Sequence, residues 1–172
     1  ALINNVTEQE RMRRELRERS ITDQLTGLYN RTYLDECLQE LRQKQQYPLG
    51  IISADCDRLK LVNDTYGHMI GDAYIRMCVT LMRDVLPERS RIFRMGGDEF
   101  LAFLPETSEE DTLRYIEDMR KLAASYSIRD VTLSVSLGGS TVNDHLDSIV
   151  ECIKRSDSEM YKDKRKRKES RL

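Results

Sequence analysis

No apolar run in this 172-residue chain approaches the about 20 residues that a membrane-spanning helix requires. C-x-x-C spacing is also missing, since Cys37, Cys56, Cys78 and Cys152 are scattered along the sequence. That scatter argues against a zinc site or a disulfide frame and points to reduced thiols in a cytoplasmic protein. Internal repeats and low-complexity tracts are lacking too. Neither charge dominates: 28 Lys and Arg face 30 Asp and Glu, for a net charge of −2. Nothing in that balance argues for nucleic acid as a partner. The basic run Lys162–Lys168 is local and reads as a solvated helix face. The length suits one domain with a proper core.

What the chain does have is Arg94-Met95-Gly96-Gly97-Asp98-Glu99-Phe100 between two apolar segments. A Gly-Gly step there predicts a β-hairpin turn, with glycine supplying positive φ. The turn would deliver Asp98 and Glu99 together at an exposed tip. A second acidic pair, Asp55 and Asp57, ends the apolar run 49–54, which reads as a strand buried on both faces. Two such clusters suggest a site for divalent metal and phosphate, because hard cations take carboxylate oxygens plus substrate phosphates. The plainer alternative has Asp55 capping a strand-to-helix turn.

Periodicity places helices up to about residue 18, over about 31–46, 60–66, 71–86 and 108–126, and from about 146 onward. Strands fall at 49–55, within a hairpin over 91–104, and at 131–137. Leu34, Cys37, Leu38 and Leu41 mark one buried face; Leu113, Ile116, Met119 and Leu122 mark another. In the first helix Leu2, Val6, Met12 and Leu16 form only a thin apolar stripe. These elements predict an α/β fold, an α+β sandwich in which helices flank a mostly antiparallel central sheet.

Between the two acidic clusters the order Asp55-x-Asp57-x-x-Lys60-x-x-Asn63-Asp64-x-x-Gly67-His68-x-x-Gly71-Asp72 leads on to Arg94-x-Gly96-Gly97-Asp98-Glu99-Phe100. Together with Asp23-Gln24-Leu25-Thr26-Gly27 and the stretch Ser156-Asp157 to Lys164, this resembles the GGDEF family of diguanylate cyclases over about residues 23–164. The resemblance implies a nucleotide-cyclase or polymerase-palm architecture. It also implies condensation of two GTP into cyclic di-GMP by two facing domains. Carried over by position, it assigns Asp55, Asp98, Glu99 and the Cys56 carbonyl to Mg²⁺, with two ions expected; Mn²⁺ suits the same oxygens. Asp98 is then also the proton acceptor for the 3′-hydroxyl. Lys60 and Lys164 meet phosphate, Gly96 and Gly97 leave room for the nucleotide, and Asn63 and Asp72 read guanine. His68 takes a substrate-side or structural role. Asn63 and Asp72 have a plainer alternative as helix caps.

Two departures stand out. The product-binding Arg-x-x-Asp signature of the family is replaced by Pro87 and Ser90, so no product inhibition is expected there. Lys168 stands where the family carries arginine, keeping the charge but losing the fork. That change favours, as an alternative, a catalytically weak GTP-binding regulatory module. Residues 1–20 are expected to be a signalling or linker helix and 21–172 the catalytic domain. The abrupt start suggests a fragment of a larger protein, membrane-anchored or not, with an upstream sensory domain and a second GGDEF domain as partners.

Overall fold

The computed structural model describes residues 2–170. Its strands are β1 (Tyr29–Asn30), β2 (Leu49–Cys56), β3 (Arg91–Arg94), β4 (Glu99–Leu104), β5 (Ser127–Ile128), β6 (Val131–Thr132) and β7 (Val135–Val142). The helices are α1 (Leu2–Ile21), α2 (Leu34–Lys44, after a 3₁₀ turn at Arg31–Tyr33), α3 (Leu59–Tyr66), α4 (His68–Val85), α5 (Glu109–Ala123) and α6 (Ile149–Glu169). Five strands form one sheet in the order β1-β3-β4-β2-β7, and β5-β6 is a separate small hairpin. Every pair in the main sheet is antiparallel except β1 with β3. The expected α/β sandwich is therefore present, with one parallel edge pair.

Strand β2 lies between β4 and β7 and is buried at every position, which is why its sequence reads as a continuous apolar run. Successive side chains point to opposite faces. Ile52, Ala54 and Cys56 enter the core shared with α4 and α5, whereas Leu49 and Ile51 enter the layer under α2 and α6. Asp55 has the parity of Ile51, so it faces α6. Helix α4 buries Gly71, Tyr74, Ile75, Cys78, Val79, Leu81 and Met82, the three-and-four spacing of an amphipathic helix.

Several boundaries differ from the sequence expectation, each for a physical reason. Gly67 ends α3 at φ 85° and turns the chain straight into α4, which starts at His68 instead of Gly71. The late strand runs over 135–142, not 131–137. Val131 and Thr132 pair with β5 instead, and the run past Gly138-Gly139 stays in the sheet. A Cβ on Gly138 would collide with the α6 backbone at Ser156 and Met160, so this glycine permits helix-on-strand packing and does not end the strand. Helix α6 begins at Ile149, capped by the Ser148 side chain, three residues later than expected. On α5 the inward face is Thr112, Ile116, Met119 and Ala123; Leu113 and Leu122 are exposed.

Helix α1 projects with little packing. Leu2, Val6, Met12 and Leu16 are all exposed, and Arg17 reaches Glu36 on α2 at 2.5 Å. Among the described residues, no helix is long and apolar enough to cross a membrane.

Candidate active site

Sheet pairing brings the two acidic clusters together. Asp55 lies opposite Glu99 in the β2–β4 ladder, and one residue further the Cys56 N–H donates to the Asp98 carbonyl at 2.8 Å. The connection 95–98 is closed by the Met95 N–H donating to the Glu99 carbonyl at 2.8 Å. Carboxylate oxygens of Asp55, Asp98 and Glu99 consequently lie within 4.8 Å of one another, close enough to share a cation. Asp55 is only 1% exposed, and its Oδ1 is buried without a hydrogen-bond partner. An unpaired buried oxygen of this kind is costly unless something coordinates it. The donor set, three carboxylates with one orphaned oxygen, fits a hard divalent ion. Asp55 thus does not serve as a simple turn cap.

One expectation about the hairpin is corrected. Neither Gly96 nor Gly97 has positive φ; the glycines that do are Gly27 and Gly67. The four-residue connection closes without the left-handed backbone that a two-residue turn would need. A Cβ on Gly97 would meet nothing within 4 Å, and one on Gly96 would meet only Glu99, at 3.7 Å. The chain itself therefore places no demand for glycine there, and the open surface beside the acids is free for a ligand.

Helix α6 supplies the positive side of the site. Because it packs directly on Gly138, its next turns reach the carboxylates: Lys164 Nζ donates to Asp55 Oδ2 at 2.9 Å, and Tyr161 Oη lies 3.4 Å from Glu99 Oε1. Burial, with Asp98 alongside, pushes the Asp55 carboxyl above its ordinary range in spite of Lys164. Partial burial works against the Lys164 ammonium, yet the Asp55 carboxylate still holds it above its ordinary value. The neighbouring Asp163 anchors this part of the helix. It accepts from the Leu137 N–H at 2.8 Å, from Arg120 at 2.8 Å and from Arg167 at 3.3 Å. Burial opposes its ionisation, but these donors keep its carboxyl below the ordinary range. Lys168 lies with Tyr161, Lys164 and Arg165 around an open cavity of ≈ 620 Å³. A larger groove of ≈ 830 Å³ between α5, β7 and α6 contains neither Asp55 nor the hairpin acids.

The remaining candidates sit on α3 and α4. Asp72 is the fifth residue of α4 and exposed, so it does not cap that helix. Asn63, on α3, is half-buried and lies against Gly71, where a Cβ would overlap its side-chain oxygen and come within 2.8 Å of its Cγ. Gly71 thus allows the Asn63 side chain to lie directly against α4. His68 and Lys60 are exposed, at the start of α4 and on α3, and His68 is not among the ligand groups of the carboxylate cluster. The Cys56 thiol is buried beside Cys78, so only its backbone is available to the site.

Sequence reasoning did not single out the support around these residues. Arg94 donates to the Gly97 carbonyl at 2.7 Å and to both Asp23 oxygens at 3.2 Å, tying the hairpin tip to the 23–27 turn. Asp57 accepts from Ser134 and Ser136 at 2.7 Å each, joining β2 to β7 below the site. Both acids stand in the motifs quoted above, but their partners are more than 70 residues away in sequence.

The profile of the family described as "Diguanylate cyclase, GGDEF domain" matches residues 20–170. Diguanylate cyclase DosC of Escherichia coli (strain K12) is 35% identical over 133 residues, 73% of this chain and 29% of the relative. Diguanylate cyclase DgcM of the same strain is 31% identical over 171 residues, 95% of this chain and 40% of the relative. The chain thus spans well under half the length of these two relatives. Among solved structures, the coiled coil and GGDEF domain of DgcB from Caulobacter crescentus, in complex with c-di-GMP, superposes with a TM-score of 0.82 at 26% identity, covering 95% of this chain and 92% of that one.

Proposed function

Since the chain belongs to the GGDEF family, we propose that it is the catalytic domain of a diguanylate cyclase, condensing two GTP into cyclic di-GMP and two pyrophosphates. The observation that carries this reading is the Asp55–Asp98–Glu99 cluster, with the orphaned Oδ1 of Asp55 inside it. Asp55, Asp98 and Glu99, with the Cys56 backbone carbonyl, would hold two Mg²⁺ ions, or Mn²⁺. When bound, such ions neutralise charge on the phosphates and act as Lewis acids.

The chain's own groups do the rest. Asp98 accepts the proton of the 3′-hydroxyl as its oxygen bonds to the α-phosphorus of the other GTP. The bond from that phosphorus to the bridging oxygen breaks, and pyrophosphate leaves with the pair. Lys60, Lys164 and Lys168 offset charge along the triphosphate. Gly96 and Gly97 admit the nucleotide over the hairpin. Asn63 and Asp72 read guanine: an ionised Asp only accepts hydrogen bonds, and guanine N1–H and N2 offer an adjacent donor pair that adenine lacks. His68, the first residue of α4, takes a substrate-side or structural role.

Each domain would bring one GTP, so a second GGDEF domain is required. Residues 1–20 would act as the signalling helix and 21–172 as the catalytic domain. The exposure of the apolar side chains of α1 supports that division. An upstream sensory domain that dimerises would raise the effective concentration of the two sites. Product inhibition through 87–90 is not expected, because Arg89 is turned to the Pro105 carbonyl at 2.8 Å and Pro87 and Ser90 offer no ionic partner. The test is product analysis by chromatography and mass after incubation with GTP and Mg²⁺, for the free chain and for a fusion to a parallel dimerising coil. Cyclic di-GMP from the fusion, lost in Asp98→Ala, supports the reading. A folded fusion that binds GTP and makes no product moves it to the weak regulatory module that Lys168 favours.

A further inference from the structure

We propose that Lys164 is a tethered counter-ion that competes with the metal for Asp55 and moves to the triphosphate, so that metal and nucleotide bind cooperatively. This deepens the metal-site reading above and rests on it. The ammonium sits 2.9 Å from Oδ2 of Asp55, whose carboxylate is one of the three in the acidic cluster. The Asp55 side chain is 2% exposed and that of Lys164 26%, so the lysine approaches the carboxylate from the solvent side. Asp98 and Asp57 add to the negative field it feels. Two positive charges placed at one carboxylate repel each other, so a cation that enters weakens the lysine's hold.

The lysine has somewhere to go, but only with a polyanion present. Tyr161, Lys164, Arg165 and Lys168 are spaced three and four residues apart on one face of α6, around the same open cavity. Alone there, the Lys164 ammonium would meet the like charges of Arg165 and Lys168, and the Asp55 carboxylate is the better partner. A triphosphate in that cavity reverses the preference. The helix need not move: Asp163 pins it to Leu137 of β7 and Arg120 of α5, and the four-carbon stem of lysine swings on its own. By linkage, whatever Lys164 subtracts from metal affinity in the absence of nucleotide returns as tighter binding of each ligand in the presence of the other.

The test measures Mn²⁺ binding to the full chain by electron paramagnetic resonance, with and without a GTP analogue that cannot react at the α-phosphate. Wild type, Lys164→Met, Lys164→Gln, Lys164→Arg and Asp98→Asn are compared, with folding checked by circular dichroism. Without nucleotide, the two neutral variants are expected to bind Mn²⁺ about fivefold tighter than wild type, and the tightening of the analogue by metal should shrink by the same factor. Arginine, keeping the charge, should stay near wild type. Equal or weaker Mn²⁺ binding by both neutral variants overturns the proposal and leaves Lys164 as a phosphate ligand only. Mn²⁺ binding that Asp98→Asn fails to weaken would instead overturn the metal-site reading itself, and the proposal with it.

Discussion

Substituting Gly71 by alanine separates the stability of the fold from the recognition of the nucleotide. Gly71 is the fourth residue of α4, where alanine is favoured over glycine by about 0.8–1 kcal/mol. The new methyl would overlap the Asn63 side-chain oxygen and stand 2.8 Å from its Cγ. Asn63 is half-buried and its amide is the end of a short side chain, so it can rotate away at a cost of about 0.5–1.5 kcal/mol. These contributions nearly cancel, and the melting temperature should move by no more than about 4 °C in either direction. Recognition does not recover in the same way. If Asn63 and Asp72 together read guanine, an amide swung off the base forfeits about 1–3 kcal/mol. That is a loss of about five- to 150-fold in GTP affinity. Thermal unfolding by circular dichroism and titration calorimetry with an unreactive GTP analogue would read the two quantities independently. A folded Gly71→Ala protein whose affinity stays within about twofold of wild type would refute the role given to Asn63.

Asp163→Ala should destabilise the domain by about 2 kcal/mol, since it strips the Leu137 N–H and the half-buried Arg120 of their acceptor. For a chain of this size the melting temperature would fall by about 4–8 °C. The acid limb carries the same signature. Asp163 and Asp23 both titrate below the ordinary range in the fold, so their contribution is present above the unfolded value and is lost as pH falls through the folded one. The gap between wild type and Asp163→Ala should thus be constant near neutrality and narrow below about pH 4 in equilibrium unfolding. Gly97→Ala should leave stability within about 0.5 kcal/mol, because its Cβ meets nothing, yet weaken nucleotide binding measured by calorimetry. Unchanged affinity in that variant would show that the nucleotide does not lie over the hairpin.

Much of this site was legible because its motifs are local and its chemistry is carried by residue type. Asp55 ends a strand that the apolar run announces, and Asp98 and Glu99 follow a turn that the glycines announce. Their meeting required one inference, that the hairpin pairs beside β2, and the ladder places Asp55 opposite Glu99. What the sequence concealed is the contacts made at long range. Gly138 looks like the end of a strand, and only the α6 backbone lying on it explains why a side chain is excluded. Asp163 looks like one charge in a basic run, and its importance depends on Arg120 and on the free edge of β7. The hairpin glycines stand at the connection the sequence marks, but open space, not positive φ, is what they provide. On α5, Leu113 and Leu122 fit the helical period as well as the residues that are buried, and the burial of Thr112 and Ile116 follows from how closely that helix approaches Gly50 of β2 and Gly139 of β7.

Reaction stoichiometry distinguishes a diguanylate cyclase from a GTPase or a monocyclic nucleotide cyclase. The coil-fused chain, supplied with GTP and Mg²⁺, would be assayed for pyrophosphate and for cyclic dinucleotide in the same time course, with Asp98→Ala alongside. Two pyrophosphates for each cyclic di-GMP, and neither from Asp98→Ala, is the predicted result. Release of phosphate with GDP, one pyrophosphate for each monocyclic product, or equal turnover in Asp98→Ala would contradict it.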